Sequence, residues 1–236
     1  MAAGPAAAGG RAHVFVDDLE HPAPAEADRR HLERVLRLRP GEAITVSDGR
    51  GGWRPCRFGP ELAPDGPVEH VARAHPVLTV AAALTKGERP EWTVQKLTEV
   101  GIDEIVLFVA QRSVVRWDDE RGSRTVERLR RVAREAAMQS RRAWLADVAL
   151  GDFADLCRRP DVALADIAGG PPSLAHPTVL VGPEGGWSDE ERAVLLPRIT
   201  LGPQVLRSET AAIGVGVVLA ALRAGLLIPH TDVSED

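Results

Sequence analysis

The sequence predicts an α/β protein preceded by a small β-rich unit, and three observations predict it. From Val77 to about Ala224, short apolar runs alternate with helical patterns, as in a parallel sheet with crossover helices. Within 178–216 two of these runs, Thr178–Val181 and Ile199–Leu201, each lead into a glycine- and proline-bearing turn and then a helical pattern. Ahead of Val77 the pieces are strand-like, with one helix among them. Two βα turns side by side would place backbone N–H and C=O groups at the carboxyl ends of strands, where open α/β sheets bind ligands. Chemistry is expected there.

In chain order, residues 1–10 are small and apolar without a basic start, and read as a tail rather than a signal peptide. His13–Val16 reads as a strand, and Asp28 is placed to cap a helix carrying Leu32, Val35, Leu36 and Leu38. Pro40-Gly41 ends that helix; strands follow at Ala43–Ser47, Arg54–Phe58 and Val68–Arg73, with Asp48-Gly49 as a hairpin turn. Val77–Leu84 begins the alternating region, followed by the turn Thr85-Lys86-Gly87-Glu88 and a helix from Pro90 to Val100 that Gly101 caps. Ile105–Ala110 is the next strand. A long helix over 121–143 has Val126, Leu129, Val132, Ala133, Ala136 and Ala137 on one side. Strands at Val162–Ala165, Thr178–Val181 and Ile199–Leu201 complete the sheet. Ser188 and Glu191 form a capping box for a helix between the last two. The final helix, Thr210 to about Ala224, is apolar nearly all round and therefore buried in a core or an interface.

Composition excludes several classes. With 29 Lys+Arg against 34 Asp+Glu the chain is net acidic, so any nucleic-acid surface must be local. Cys56 and Cys157 form no CxxC, and the seven histidines do not cluster, so neither a disulfide framework nor a metal site is expected. The longest apolar stretch, Ala211–Ile228, is interrupted by Arg223, so no membrane span is expected. A reduced, soluble, cytoplasmic protein is the reading. Local positive charge occurs twice. Arg29, Arg30, Arg34, Arg37 and Arg39 face the single acid Glu33, and ten arginines between Arg112 and Arg142 face five acids. Each patch is either a solvated helix face, held by i,i+4 pairs such as Glu127–Arg131, or a set of phosphate contacts.

Gly214-Val-Gly216 lies within a helical pattern and is no dinucleotide fingerprint. The turn Gly182-Pro-Glu-Gly-Gly lacks the Gly-Lys-Ser/Thr of a P-loop, and no G-x-S-x-G elbow is present. From the residues alone the chain is an α/β enzyme with a ligand pocket at two βα turns and an RNA-binding-like first unit.

Two late motifs go further. Val179-Leu-Val-Gly-Pro-Glu-Gly-Gly186 together with Leu201-Gly-Pro-Gln-Val-Leu-Arg-Ser-Glu-Thr-Ala211 resembles the ribosomal RNA small-subunit methyltransferase E family. Its members belong to the SPOUT superfamily of knotted methyltransferases and methylate N3 of a uridine in 16S rRNA. His31–Glu42, Leu84–Arg89, Gln95–Gly101 and Gln139-Ser-Arg-Arg142 carry the resemblance along residues 11–228. Ser208 stands where threonine is usual, and Ser140 departs from the family's pattern before the arginine.

The resemblance implies a PUA-like domain over 11–74 and a SPOUT methyltransferase domain over 75–230, knotted at about 178–216, with a tail at 231–236. It implies S-adenosylmethionine as cofactor, a homodimer, and 16S rRNA or the small ribosomal subunit as partner. Cofactor contacts are expected from Leu180, Val181, Gly182, Pro183, Glu184, Gly185 and Gly186 at the first turn. The second turn would add Leu201, Gly202, Leu206, Arg207, Thr210 and Ala211. Arg207 is the candidate for stabilising charge on the uracil oxygens; Glu209 is either a base or a charge at the last helix's N-terminus. RNA contacts are expected from Arg11, Arg30, Arg34, Arg37, Lys86, Lys96, Arg134, Gln139, Arg141 and Arg142. The alternatives are a SPOUT methyltransferase acting at another RNA site and a non-catalytic RNA-binding assembly factor.

Overall fold

The computed structural model describes residues 4–87, 89–114 and 119–227, with main chain only at 119–121. Glu88, Arg116, Asp118, Ile228 and the tail 231–236 lie outside the described residues, as do the side chains of Asp119, Glu120 and Arg121. The chain divides into two compact units: 1–74 with 134–145, and 75–133 with 146–236. The boundary expected at 74/75 is therefore crossed a second time, because the end of the long helix belongs to the first unit.

The first unit is built on a five-stranded sheet of β1 (His13–Phe15), β2 (Ala43–Ser47), β3 (Gly52–Arg57), β4 (Ala63–Pro64) and β5 (Glu69–His70). β1 runs parallel to β2, and β2 pairs antiparallel with β3 through the Asp48-Gly49 turn. Gly49 and Gly51 take φ of 74° and 98° there, a region that favours glycine. Val14, Leu32, Ile44, Val46 and Cys56 form the core. Residues 4–10, read as a tail, contain a hydrogen-bonded turn with Pro5 buried.

The helix of this unit differs from expectation. α1 starts at Glu26 (Glu26–Arg30) and continues into a π-turn, His31–Val35, so Asp28 lies inside the helix and caps nothing. Its buried carboxylate instead receives both terminal nitrogens of Arg134, at 3.1 and 2.7 Å. The π-turn also rotates Val35 out to solvent, while Leu32 and Leu38 stay buried.

His13 shows how the parallel register works. Pairing His13 with Thr45 sets the Thr45 hydroxyl 2.8 Å from Nδ1, and the Arg142 carbonyl lies 3.1 Å from Nε2. A carbonyl only accepts, so Nε2 carries the proton and Nδ1 accepts from Thr45.

The second unit holds a six-stranded, all-parallel sheet in the order β11-β9-β10-β6-β7-β8. Its strands are β6 (Thr79–Ala83), β7 (Glu104–Phe108), β8 (Asp147–Gly151), β9 (Val162–Gly170), β10 (Thr178–Val181) and β11 (Arg198–Ile199). β6 and β10 are buried along their whole length, as central strands covered on both faces are. One face packs on α2 (Arg89–Val100) and α6 (Ser208–Arg223), with Val80, Leu97, Val179, Val215 and Leu219 in that core. The other face carries Phe108, Leu156, Leu164, Leu180 and Trp187. α3 (Asp119–Gln139), α4 (Phe153–Cys157) and α5 (Asp189–Arg192) complete the elements.

Gly214 and Gly216 lie inside α6, as expected. A Cβ on Gly216 would come within 2.6 Å of Leu97, so this glycine lets α2 approach. Three expectations are corrected. Strand β8 had no counterpart in the sequence reading. β11 is shorter than Ile199–Leu201, because Leu201 already belongs to the turn. Glu127 pairs with Arg130, at 2.6 Å, rather than with Arg131.

Burial holds the His13 imidazole down at about 4, against about 6.5 in the unfolded chain; its bond to the Arg142 carbonyl opposes the shift. The unfolded chain therefore takes up a proton first as pH falls. The stability His13 contributes is intact above about pH 6.5 and is lost as pH falls toward 4, to roughly 3 kcal/mol. Urea unfolding between pH 7 and 4.5 is expected to show a shallower pH dependence in His13→Gln than in the unsubstituted protein. Equal slopes would remove His13 as the source.

Candidate functional site

Three strands contribute to one cleft. The turn after β10 contributes Gly182, Pro183, Gly186 and Trp187; the segment after β11 contributes Thr200 to Gly202, Gln204 to Leu206 and Ser208; the middle of β9 supplies Ala165 to Ile167. The two turns are not side by side, because β9 lies between β10 and β11 in the sheet. Its middle residues, Ala165 to Ile167, form the wall between them, a contribution the sequence reading missed.

Local chemistry fixes each wall. Trp187 is buried, stacks at 8° on Phe108, and donates from Nε1 to the Ala165 carbonyl at 2.9 Å. That bond joins the turn after β10 to the middle of β9. Ser188 caps α5 through the expected reciprocal box: its hydroxyl accepts from the Glu191 N–H at 3.0 Å, while Glu191 accepts from the Ser188 N–H at 2.8 Å. The second oxygen of Glu191 accepts from the Gln111 N–H at 2.8 Å, so one buried carboxylate also ties the loop after β7 to the cleft. Ser208, the first residue of α6, donates to the Gly182 carbonyl at 2.8 Å and brings the two turns together. Arg192 meets the buried carboxylate of Asp166 at 3.1 Å on the β9 side.

Glycine is required by conformation at two lining positions, Gly186 (φ 67°) and Gly202 (φ 125°). A Cβ at Gly202 would meet only the Gln204 amide, at 3.6 Å, so a side chain there would stand in the cleft's own space. The cleft offers apolar walls (Ile167, Trp187, Leu201, Leu206) beside glycine backbone, an arrangement suited to a flat heteroaromatic ligand.

Of the residues expected to bind a cofactor, Gly182, Pro183, Gly186, Leu201, Gly202, Leu206 and Ala211 line the cleft. Leu180 and Val181 are buried in β10 and do not line the cleft, and the Gly185 carbonyl accepts from Arg112 at 3.2 Å. Glu184 is outside the cleft, paired with Arg89, and Thr210 is exposed in the first turn of α6. Arg207 is exposed at the N-cap of α6 and has no ion pair among the described residues. Glu209 is buried and does not line the cleft; one oxygen lies 3.7 Å from Arg89, and the other has no hydrogen-bond partner. Arg89 thus stands between an acid of each turn.

The basic residues separate into two kinds. Arg134 holds Asp28 and the Phe15 carbonyl, and Arg141 donates to the Gly10 carbonyl. Arg11 meets Glu42 at 2.7 Å, Arg30 meets Glu26 at 3.5 Å, and Lys96 meets Glu99 at 2.8 Å. Arg142 is half-buried, with its carbonyl on His13. Arg34, Arg37, Lys86 and Gln139 are exposed, without an ion pair among the described residues. Also among these residues, no group of three or more His, Cys, Asp or Glu is placed to hold a metal, and no helix is long and apolar enough to cross a membrane.

An RNA methyltransferase domain model matches residues 73–220, and an RNA methyltransferase PUA domain model matches 25–59. The ribosomal RNA small subunit methyltransferase E of Mycobacterium bovis is 34% identical over 233 residues, covering 86% of each chain. This chain belongs to that methyltransferase E family. The Synechocystis member is 30% identical, over 78% of this chain and 68% of its own. Among solved structures, the Neisseria gonorrhoeae methyltransferase E bound to S-adenosyl methionine superposes with a TM-score of 0.74 at 26% identity, covering 89% of this chain and 97% of that one. A putative methyltransferase from Legionella pneumophila, in complex with bound SAM, gives 0.74 at 25% identity over 89% and 96%. The second unit is accordingly a SPOUT-type methyltransferase fold, and the family is one of RNA methyltransferases with a PUA-like N-terminal domain.

Glu191→Gln places an amide N–H₂ against one of two backbone N–H donors. Thermal unfolding is expected to show a loss of about 1–3 kcal/mol. A change below about 0.5 kcal/mol, the scatter of ordinary surface substitutions, would show that the carboxylate does not anchor the cleft.

Proposed function

We propose that this protein uses S-adenosylmethionine to methylate N3 of a uridine in 16S rRNA of the small ribosomal subunit. The observation that carries the reading is the cleft itself: glycine backbone and apolar side chains around three strands, in a family whose solved members include S-adenosyl methionine complexes. Trp187, Leu201 and Leu206 would hold the adenine and ribose by apolar contact, and backbone groups at Gly182, Gly186 and Gly202 would read their polar edges. When bound, the cofactor's sulfonium supplies an electrophilic methyl group.

The protein's own residues then have two tasks. Methyl transfer is an in-line displacement, so the first is alignment, which the joined turns of β10 and α6 provide. The second is to favour the deprotonated uracil, since N3 carries a proton at neutral pH. Arg207, exposed at the start of α6, is the group that would stabilise negative charge on the uracil oxygens. Glu209 is turned toward Arg89, so its role in this reading is to position the two turns through that guanidinium. Lys86, Arg34 and Arg37 would meet phosphates. The homodimer expected from the resemblance is supported by the exposed Val217 on α6 and Leu226 and Leu227 beyond it, and light scattering of the purified protein tests it.

A methyl group on N3 removes a Watson–Crick donor, so reverse transcription of small-subunit RNA treated with protein and cofactor is expected to stop at one uridine. Arg207→Ala is expected to reduce that product about 10²–10³-fold, as loss of an oxyanion donor does, with calorimetric cofactor affinity within a few-fold. Methyl incorporation without a stop would place the transfer at another atom, and absence of cofactor binding would make the protein a non-catalytic RNA binder.

A further inference from the structure

A second cavity, of about 640 Å³, opens within the first unit between β1, α1 and the end of α3. It serves no part of the methyl-transfer chemistry, and its volume falls in the range of small-molecule sites. The floor is apolar: Val14, Leu32, Leu36 and Met138 line it. The polar groups deepest in it are already satisfied. His13 uses both ring nitrogens, and the carboxylate of Asp28 is neutralised by Arg134. A charged ligand group has no free partner at the bottom, but a flat apolar one does, and the Met138 thioether favours aromatic contact.

The rim is polar and has two sides. On α3, Glu135 and Gln139 stand four residues apart and so share one face. Neither side chain has a hydrogen bond among the described residues. A carboxylate only accepts, while an amide both donates and accepts. Together they match a ring N–H beside a carbonyl, the edge that uracil and guanine share and that adenine and cytosine lack. Across the mouth lie Arg11, His31 and Arg141, followed along the chain by the exposed Arg34 and Arg37. A flat apolar body, an edge of ring N–H beside carbonyl, and neighbouring negative charge together describe one nucleotide of a single strand, turned out of its stack.

We propose that this cavity receives a single unstacked uracil or guanine of the RNA substrate, distinct from the base that is methylated, and so fixes where the RNA lies on the first unit. The inference rests on RNA being the substrate. Glu135 and Gln139 are specificity residues here, and Arg34 and Arg37 supply phosphate contacts that carry no sequence information.

The test uses the full chain and 16S rRNA containing 4-thiouridine in one preparation and 6-thioguanosine in another. After irradiation, cross-linked peptides are mapped by mass spectrometry, and RNA binding is measured by filter retention without cofactor. A cross-link within 28–38 or 135–141 supports the cavity, and the analogue that forms it names the base. Gln139→Leu, an exposed substitution, is expected to weaken RNA binding about 10-fold, within the range for loss of one base contact. That loss should not vary with salt. Arg34→Ala should instead reduce the salt dependence of binding. Tight RNA binding and methylation with no cross-link in those segments, and an unaltered Gln139→Leu, would overturn the cavity while leaving the methyltransferase reading intact. Failure of the unsubstituted protein to bind the RNA would overturn both.

Discussion

The second unit depends on a return of the chain. β10 lies at the centre of the sheet, between β9 and β6, whereas β11 is at the edge beyond β9. The helix that follows β11 does not settle on that edge: α6 packs chiefly on the central strands β6 and β10. Residues 200–207 must therefore travel back across the carboxyl ends of the strands, and the Ser208 hydroxyl meets the Gly182 carbonyl where they arrive. This return is the kind of crossing that a trefoil knot requires, and general topology rules make it rare. The cleft follows from it. Two turns forced over one strand end leave little room for side chains. The pairing of β9 with β11 is tight as well: a Cβ on Gly169 would come within 2.4 Å of the Ile199 backbone.

Most of the sheet was legible because its central strands are buried on both faces and read as unbroken apolar runs, as Thr79–Ala83 and Thr178–Val181 do. β8 was not. It is an edge strand, begins with an exposed Asp147 and leaves Leu150 partly in solvent, so its sequence carries no alternation and an apolar run of only Val148-Ala149-Leu150. The capping box of α5 was legible because both partners lie within one turn. The role of Asp28 was hidden because its partner, Arg134, is 106 residues away. The same reason hid the cleft wall from β9: Ala165 to Ile167 have no motif, and only the strand order brings them between the two turns. The glycine motifs showed where a site would lie but not the whole of what encloses it.

The arginines show the limit of reading charge from sequence. This chain has only two lysines, so nearly every cationic task, structural or functional, falls to arginine. A guanidinium presents five donors in a plane and can bridge several carbonyls at once. Arg223 does so, binding the Pro76 and Gly101 carbonyls and the buried Asp103 carboxylate. Arg54 reaches the Leu19 and Gly66 carbonyls, and Arg134 those groups that close α1 onto β1. These side chains belong to the folded core's polar seams, and counting them as RNA contacts overstates the basic surface.

Arg207 is different, and electrostatics explains why. It caps the N-terminus of the 16-residue α6, where the aligned peptide dipoles concentrate partial positive charge. A cation there is disfavoured by about 0.3–1 kcal/mol. The acid that could offset it, Glu209, is committed to the Arg89 side. The helix N-terminus and a guanidinium without an ion pair among the described residues thus add their fields beside the cleft, at a small cost to the free protein. Negative charge arriving there would relieve both. Under the proposed uridine-N3 reaction, a uracil losing its N3 proton would be such a charge, developing only as the reaction proceeds. In that proposed reaction the interaction would be stronger in the transition state than in the ground state, the condition under which binding energy becomes rate.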